Sequence, residues 1–335
     1  MNTNKPLIGI SLGDYNGIGP EIILKALGSP RILKWCTPVI YGSKKVMDFY
    51  RQKLELKDWS IKIVDNLNQV QEGQSYLVKA WDDKDTVVEP GKVTQEAGKA
   101  AFDCLEMAIK DLDRGLISAL VTAPINKHNI QSEAFSFPGH TEYLTERFDA
   151  KSSLMMMVSE NLRMGVATGH LPLQEVSNAL NAQLLKDKIS LFLKSLKEDF
   201  SIDKPKLAVL GLNPHAGESG LLGKEELEII QPVIDEFRNK GNLVFGPYPA
   251  DGFFGKAQFK EFDGVLGMYH DQGLIPFKYI AFDTGVNFTA GLPIIRTSPD
   301  HGTAYDIAGK NEADPSSFMH ALFLAMDLVK NRMQA

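Results

Sequence analysis

The stretch Leu207-Ala208-Val209-Leu210-Gly211-Leu212-Asn213-Pro214-His215-Ala216-Gly217-Glu218 passes from an apolar run into a turn made of Asn, Pro, Gly and a histidine, and an amphipathic segment, Glu225–Lys240, follows it. A short run that is apolar on both faces suits a strand in a sheet covered on both sides, and the longer amphipathic run suits a helix lying on that sheet. The pattern recurs. Met164–Thr168 leads into Gly169-His170-Leu171-Pro172, and Gly264–Met268 leads into Tyr269-His270-Asp271-Gln272-Gly273. Further strands are predicted at Leu7–Leu12, Pro38–Tyr41, Ala119–Thr122, Leu154–Val158 and Leu243–Gly246. Further helices are predicted at Ile18–Leu27, Gln95–Arg114, Leu184–Lys197 and Ser316–Arg332, the last with Pro315 placed for its first turn. Alternation of this kind predicts an α/β architecture with largely parallel sheets. A domain boundary is expected near residues 125–140, where Ala123-Pro124 ends a strand and a polar loop follows.

The length of 335 residues allows two domains, and 44% hydrophobic with 23% charged residues is the balance expected of a soluble globular protein. The net charge of -6 comes without any basic block, which argues against nucleic acid as the main partner; a small anion needs only one or two local cations. MNTNKPLIGI runs straight into a strand-length segment without the apolar core of a signal peptide, and no run of about 18 apolar residues occurs, so a cytoplasmic chain is expected. Cys36 and Cys104 have no metal-type spacing and are expected to be reduced and buried.

All but one of the seven histidines sit in loop-like contexts. In an α/β sheet, ligands bind beyond the carboxyl ends of the strands. His170, His215 and His270 each follow a predicted strand, so they can converge on one point, where three imidazoles suit a divalent metal with positions left open for substrate. Spacings this long do not by themselves make a metal motif, and ordinary hydrogen-bonded loop histidines remain the alternative. Phe137-Pro138-Gly139-His140-Thr141-Glu142 reads as a turn entering a helix, able to hold a phosphate or carboxylate on free backbone N–H groups. Arg296, within Leu292-Pro293-Ile294-Ile295-Arg296-Thr297, is expected to be partly buried, with either a bound anion or an internal carboxylate as its partner. Lys278 and Asn287 lie in the same apolar and Gly-rich region. Gly13-Asp14-Tyr15-Asn16-Gly17-Ile18-Gly19-Pro20-Glu21 is not a dinucleotide fingerprint, and a tight strand–helix turn reads at least as well. Asp251 and Asp271 follow two of the loops, where they could orient a ligand histidine, act as a base, or serve as caps and surface residues.

Taken together, the segments GDYNGIGPE, VTAPINK, FPGHTE, ATGHLPL, LNPHAGE, GPYPAD, YHDQG and NFTAGLPIIRTSPDHGTAYDIAG resemble, in order and over essentially the whole chain, the 4-hydroxythreonine-4-phosphate dehydrogenase family of pyridoxal phosphate biosynthesis. The resemblance implies two α/β/α domains similar to those of isocitrate and isopropylmalate dehydrogenases, with the active site in the cleft between them. It implies a first, discontinuous domain of residues 1–135 plus 300–335, and a second of 136–299 carrying metal and substrate ligands and dimer contacts. His170, His215 and His270 match metal ligands, for zinc, magnesium or cobalt. His140, Thr141, Lys278, Asn287 and Arg296 match substrate contacts. The family is a homodimer whose metal site is completed across the subunit interface, so that His170 and His215 would share the ion with His270 of a partner subunit. NAD or NADP is the oxidant, and the motifs do not say which residues bind it.

The implied reaction is oxidation of 4-phosphooxy-L-threonine to a 3-oxo acid that decarboxylates to 3-amino-2-oxopropyl phosphate. Asp251, Asp271 and Lys278 are the candidate catalytic groups. The chain departs from the family pattern at Tyr15 and Asn16, where Pro and Ala are usual, and at Gly252, where Thr is usual. Those departures bear on substrate preference, since relatives with similar motifs act on phosphorylated threonate or erythronate. A metal-dependent lyase or hydrolase without nicotinamide is the alternative of a different class.

Overall fold

The computed structural model describes residues 5–29, 31–56 and 59–334. In chain order its elements are β1 (Leu7–Ser11), α1 (Gly19–Leu27), β2 (Thr37–Gly42), α2 (Lys44–Lys53), β3 (Lys62–Ile63), β4 (Tyr76–Lys79), α3 (Gln95–Asp113), β5 (Ala119–Thr122), α4 (His140–Arg147), β6 (Leu154–Val158), β7 (Arg163–Val166), α5 (Leu173–Ala179), α6 (Ala182–Glu198), β8 (Lys206–Leu210), α7 (Gln231–Asn239), β9 (Leu243–Tyr248), α8 (Ala250–Gly255), β10 (Gly264–Gly267), α9 (His270–Ala281), β11 (Val286–Ala290), β12 (Arg296–Pro299) and α10 (Ser316–Arg332). The chain divides into two units, residues 1–144 with 294–330 and residues 145–293 with 331–335. Among the described residues no helix is long and apolar enough to cross a membrane.

In the first unit the strands run in the order β3-β4-β2-β1-β5-β12, every pair parallel. Parallel pairing needs a crossover between consecutive strands, and α3, between β4 and β5, supplies one and packs on β1, β2 and β5. Thr94 caps α3, its hydroxyl accepting the Ala97 N–H at 3.2 Å. The first loop is filled from within its own unit. Asp14 is fully buried, and its carboxylate accepts from the Asn16 N–H (2.9 Å), Asn129 Nδ2 (2.7 Å) and the Tyr305 hydroxyl (2.8 Å). A Cβ on Gly17 would meet the Thr303 carbonyl at 2.8 Å, and one on Gly19 the Leu12 carbonyl at 2.6 Å. These glycines admit close chain packing, as a tight strand–helix turn requires.

In the second unit the order is β11-β6-β7-β10-β8-β9. The pairs among β7, β10, β8 and β9 are parallel, while β11–β6 and β6–β7 are antiparallel. The expectation of largely parallel sheets holds less well here, for a steric reason: the link between β6 and β7 closes through Ser159 N–H donating to the Leu162 carbonyl at 2.9 Å, far too short for a crossover. Both sheet faces are covered. Met164 and Val166 point into one core with Phe253, Leu274 and Phe277. Gly165, between them, faces the other way, where a Cβ would lie 2.9 Å from the Phe192 ring of α6. The thiols of Cys36 and Cys104 are free and buried, and burial pushes that of Cys36 up to about 12.

Gly98 is the fourth residue of α3, where an alanine ordinarily gains up to about 1 kcal/mol of helix propensity. A Cβ there would sit 2.0 Å from the Asn129 carbonyl oxygen, a backbone atom that cannot swing away. Gly98→Ala should therefore lower the thermal midpoint by several degrees instead of raising it, measured by calorimetry.

Candidate functional site

Each unit carries one polar cluster that its own packing leaves incomplete. In the first unit β12 pairs with β5 in register Arg296↔Leu120 and Thr297↔Val121. The Arg296 side chain runs along its strand to Thr122, whose hydroxyl accepts from Nε at 3.0 Å and Nη2 at 2.7 Å. Arg296 is 3% exposed, and among the described residues Thr122 is its only hydrogen-bond acceptor. A guanidinium has five donors. Burial pushes it down to about 10, an effect opposed by the charge of Glu142. The internal ion pair that could have absorbed this charge is absent among the described residues; Arg296 forms no salt bridge to Asp or Glu.

Beside it, α4 starts at His140, as the turn-into-helix reading of residues 137–142 predicts. His140 is buried, and its Nε2 has no hydrogen-bond partner. Burial first, then the positive charges of Arg296 and Lys127, hold its pKa well below the usual histidine value. Thr141 follows on the first turn of the same helix. The cluster thus offers a buried cation, a neutral imidazole with a spare nitrogen, and helix N–H groups, a combination suited to an anion. Lys127 was not singled out by sequence reasoning, because one lysine in Asn126-Lys127-His128 looks like a surface charge. Its proximity to His140 arises only when the loop after β5 folds back toward α4.

In the second unit β7, β10 and β8 are adjacent and parallel, so His170, His270 and His215 all follow the carboxyl ends of neighbouring strands. His170 and His270 come together, ring centroids 5.7 Å apart, and line one cavity with Leu171, Leu173, Val176 and Asp271. His270 is not a loop residue as expected: it begins α9. Its Nδ1 lies 2.7 Å from the Asp271 carboxylate, which, with a neutral ring, holds the proton on Nδ1 and turns the Nε2 lone pair outward. An exposed and a partly buried imidazole at this separation fit a shared cation, and nitrogen donors suit zinc or cobalt. The third ligand is not assembled with them: among the described residues no group of three His, Cys, Asp or Glu is placed to hold a metal.

His215 is exposed, and it stands on an unusual backbone. Residues 215–219 are all left-handed, with φ of 52° at His215, 50° at Ala216, 79° at Gly217, 43° at Glu218 and 55° at Ser219. The left-handed region costs a non-glycine residue roughly 1–2 kcal/mol, so this turn persists only if its surroundings impose it. Gln272 is a second residue sequence reasoning missed. Its Oε1 accepts the Met268 N–H at 2.6 Å and its Nε2 donates to the Gly211 carbonyl at 2.7 Å, tying the ends of β10 and β8 together.

The remaining candidates are more dispersed. Lys278 lies on α9 and is half-buried; Asn287, on β11, has a buried Oδ1 with no partner. Asp251 is exposed on the first turn of α8, and α8 packs against the His215 turn. Asp271 is occupied in orienting His270. The departures from the family pattern serve local structure. The Tyr15 ring stacks on Trp81 at 5.9 Å, Asn16 accepts the Glu89 N–H at 2.8 Å and donates to Thr94, and Gly252 faces open space.

Comparison with known proteins agrees over the whole length. The model of the family described as pyridoxal phosphate biosynthetic protein PdxA matches residues 34–325. A 4-hydroxythreonine-4-phosphate dehydrogenase of Bacteroides thetaiotaomicron is 49% identical, covering 100% of this chain and 92% of that protein. A protein of Oceanobacillus iheyensis, provisionally assigned as a D-threonate 4-phosphate dehydrogenase, is 39% identical over 98% of this chain and 100% of its own. The crystal structure of the 4-hydroxythreonine-4-phosphate dehydrogenase of Klebsiella pneumoniae superposes with a TM-score of 0.86 at 34% identity, covering 98% of this chain and 99% of that one. Isocitrate dehydrogenase of Methylococcus capsulatus shares the fold, with a TM-score of 0.51 at 13% identity over 98% of this chain and 87% of that one.

The His140 environment makes a pH prediction. The unfolded chain takes up a proton on this ring near pH 6.5, whereas the folded chain resists it. The contribution is fully present above pH 6.5 and is lost as pH falls below it. In an NMR titration the His140 ring should stay neutral as pH falls through 6.5, and Arg296→Met should raise its midpoint. A midpoint at or above 6.5 in the unaltered chain contradicts this environment.

Proposed function

This chain belongs to the PdxA family of pyridoxal phosphate biosynthetic proteins, and from that premise we propose that it oxidises 4-phosphooxy-L-threonine with NAD or NADP. The 3-oxo acid formed then loses CO2 to give 3-amino-2-oxopropyl phosphate. The observation that carries the reading is the buried guanidinium of Arg296, with more donors than the chain fills, beside the spare nitrogen of His140. The phosphate or carboxylate of the substrate supplies the missing acceptors. His140, Thr141 and Arg296, together with Lys127, hold one anionic end of the substrate; Lys278 and Asn287 contact its remaining polar groups. A substrate fixed at several points keeps its reacting C–H aligned with the nicotinamide, which is where most of the rate advantage of positioning arises.

His170, His215 and His270 are the residues proposed to hold a divalent ion, zinc, magnesium or cobalt. When bound, such an ion acidifies the C3 hydroxyl and stabilises the charge that develops on that oxygen during oxidation and decarboxylation. A bound nicotinamide would supply the acceptor for the hydride leaving C3. The hydroxyl proton passes to a base, for which Asp251 is the better placed candidate, since Asp271 already accepts from His270. Lys278 is proposed to supply a proton to the carbon that loses CO2.

The paired rings of His170 and His270 support two of the three ligands. This pairing differs from the division the resemblance implies, in which His170 and His215 belong to one subunit and His270 to the other, and a second copy of the chain would supply the remaining ligand. Exposed apolar side chains support a homodimer: Leu173, which lines the cavity of those rings, is 73% exposed, and toward the far end of α9 Tyr279 is 92% and Phe282 73% exposed, unusual values for large side chains unless a partner covers them. Two free, buried thiols are consistent with a reducing, cytoplasmic setting. A lyase or hydrolase is set aside, since the relatives that match end to end are dehydrogenases by name. The specific alternative is oxidation of phosphorylated threonate, favoured by the Oceanobacillus relative; phosphorylated erythronate belongs to the same alternative.

Initial rates of cofactor reduction with zinc-loaded protein should favour 4-phosphooxy-L-threonine over D-threonate 4-phosphate by at least about tenfold in kcat/KM, an energy of about 1.4 kcal/mol. A reversed preference would move the chain to the threonate reaction, and no reduced cofactor with either compound would sink the dehydrogenase reading. Chelation should abolish turnover, and added zinc or cobalt should restore it.

A further inference from the structure

The left-handed turn at residues 215–219 needs an agent that imposes it, and the structure contains one. Glu226 is 3% exposed, and among the described residues its carboxylate accepts only from Asn213. Oε1 accepts the Asn213 backbone N–H at 2.8 Å, and Oε2 accepts Asn213 Nδ2 at 2.9 Å. The same Nδ2 donates to Glu225 at 2.7 Å, and Glu225 accepts in turn from the Ser177 hydroxyl at 2.5 Å. Asn213 then closes the turn, its carbonyl accepting the Ala216 N–H at 3.1 Å. Glycines leave the space this clasp needs. A Cβ on Gly217 would lie 2.6 Å from Glu226 Oε2, and one on Gly223 would lie 2.3 Å from Asn213 Nδ2. Glu226 opens a π-helical turn, Glu226–Ile230, that precedes α7, a distortion found often at functional sites.

A buried carboxylate without a cation is costly, and so is a run of left-handed residues. Both costs fall on the segment whose exposed tip is His215, a ring with no hydrogen bond of its own among the described residues. A fold that needed only to connect β8 to α7 would require neither. We propose that Glu226 is a positioning residue: through Asn213 its carboxylate fixes the left-handed turn that presents His215 to a divalent cation. This rests on the reading of His215 as a metal ligand.

The test uses the full-length protein, stripped of metal and titrated with zinc by calorimetry. Hydrogen exchange of residues 211–222 and the thermal midpoint are read in parallel. Glu226→Gln keeps the shape but sets an amide donor against Asn213 Nδ2. It should weaken zinc binding about 10- to 100-fold, the range for residues that orient metal ligands. It should also speed exchange in 211–222 and leave the protection of β7 and β10 unchanged. Gly217→Ala, which pushes on the same carboxylate from the other side, should act in the same direction. Glu228→Gln, an exposed carboxylate on the same turn, should change nothing. His215→Ala separates the two claims. If it abolishes tight zinc binding while Glu226→Gln and Gly217→Ala bind zinc within twofold of the unaltered chain, the positioning role is wrong and the ligand reading stands. If His215→Ala binds zinc unchanged, both fall.

Discussion

A guanidinium taken out of water must be given acceptors, and among the described residues Thr122 alone accepts from the Arg296 side chain. The register of β12 on β5 places it there: with Arg296 opposite Leu120, the side chain reaches Thr122, and among the described residues no carboxylate forms an ion pair with it. The uncompensated charge shapes what surrounds it. It helps keep His140 neutral, and with Lys127 it makes this part of the first unit a place where an anion lowers the energy of the folded state. A membership in a family that handles a phosphorylated amino acid agrees with that electrostatic demand without being needed to see it.

The second unit answers a different constraint. Adjacent parallel strands necessarily end on one edge, so three strands each followed by a histidine bring those histidines to one side of the sheet. Backbone direction achieves the approach, but side chains decide the presentation. Asp271 fixes the tautomer of His270, Gln272 ties two strand ends together, and the Glu226–Asn213 clasp sustains a turn that the chain would otherwise avoid. Two of the three imidazoles, His170 and His270, meet within one chain.

Much of this was legible in the sequence, and the reasons for the rest are physical. β1, β5, β6 and β10 fall where apolar runs predict them, because a strand covered on both faces writes itself as a continuous apolar segment. No helix is predicted over α9, since Gly273 and Pro276 interrupt its pattern, and tertiary packing overrides their low helix propensity. β12 hid because Arg296 and Pro293 break an otherwise apolar run. The first loop was readable as a tight turn, whereas its partners Asn129 and Tyr305 were not, being distant in sequence. The expected helix over 225–240 begins instead with a π-helical turn, and no local pattern reveals that Glu226 points inward to Asn213. Long-range polar contacts of this kind leave no periodicity to read.

The most direct measurement is equilibrium binding of 4-phosphooxy-L-threonine to the unaltered chain and to Arg296→Met, by calorimetry without nicotinamide. Loss of charge-assisted hydrogen bonds worth about 1.5–3 kcal/mol each predicts at least about a tenfold weaker complex, with the fold retained because a buried charge has been removed. Binding of equal strength in the two proteins would contradict the claim that this buried cation holds the substrate's anionic group.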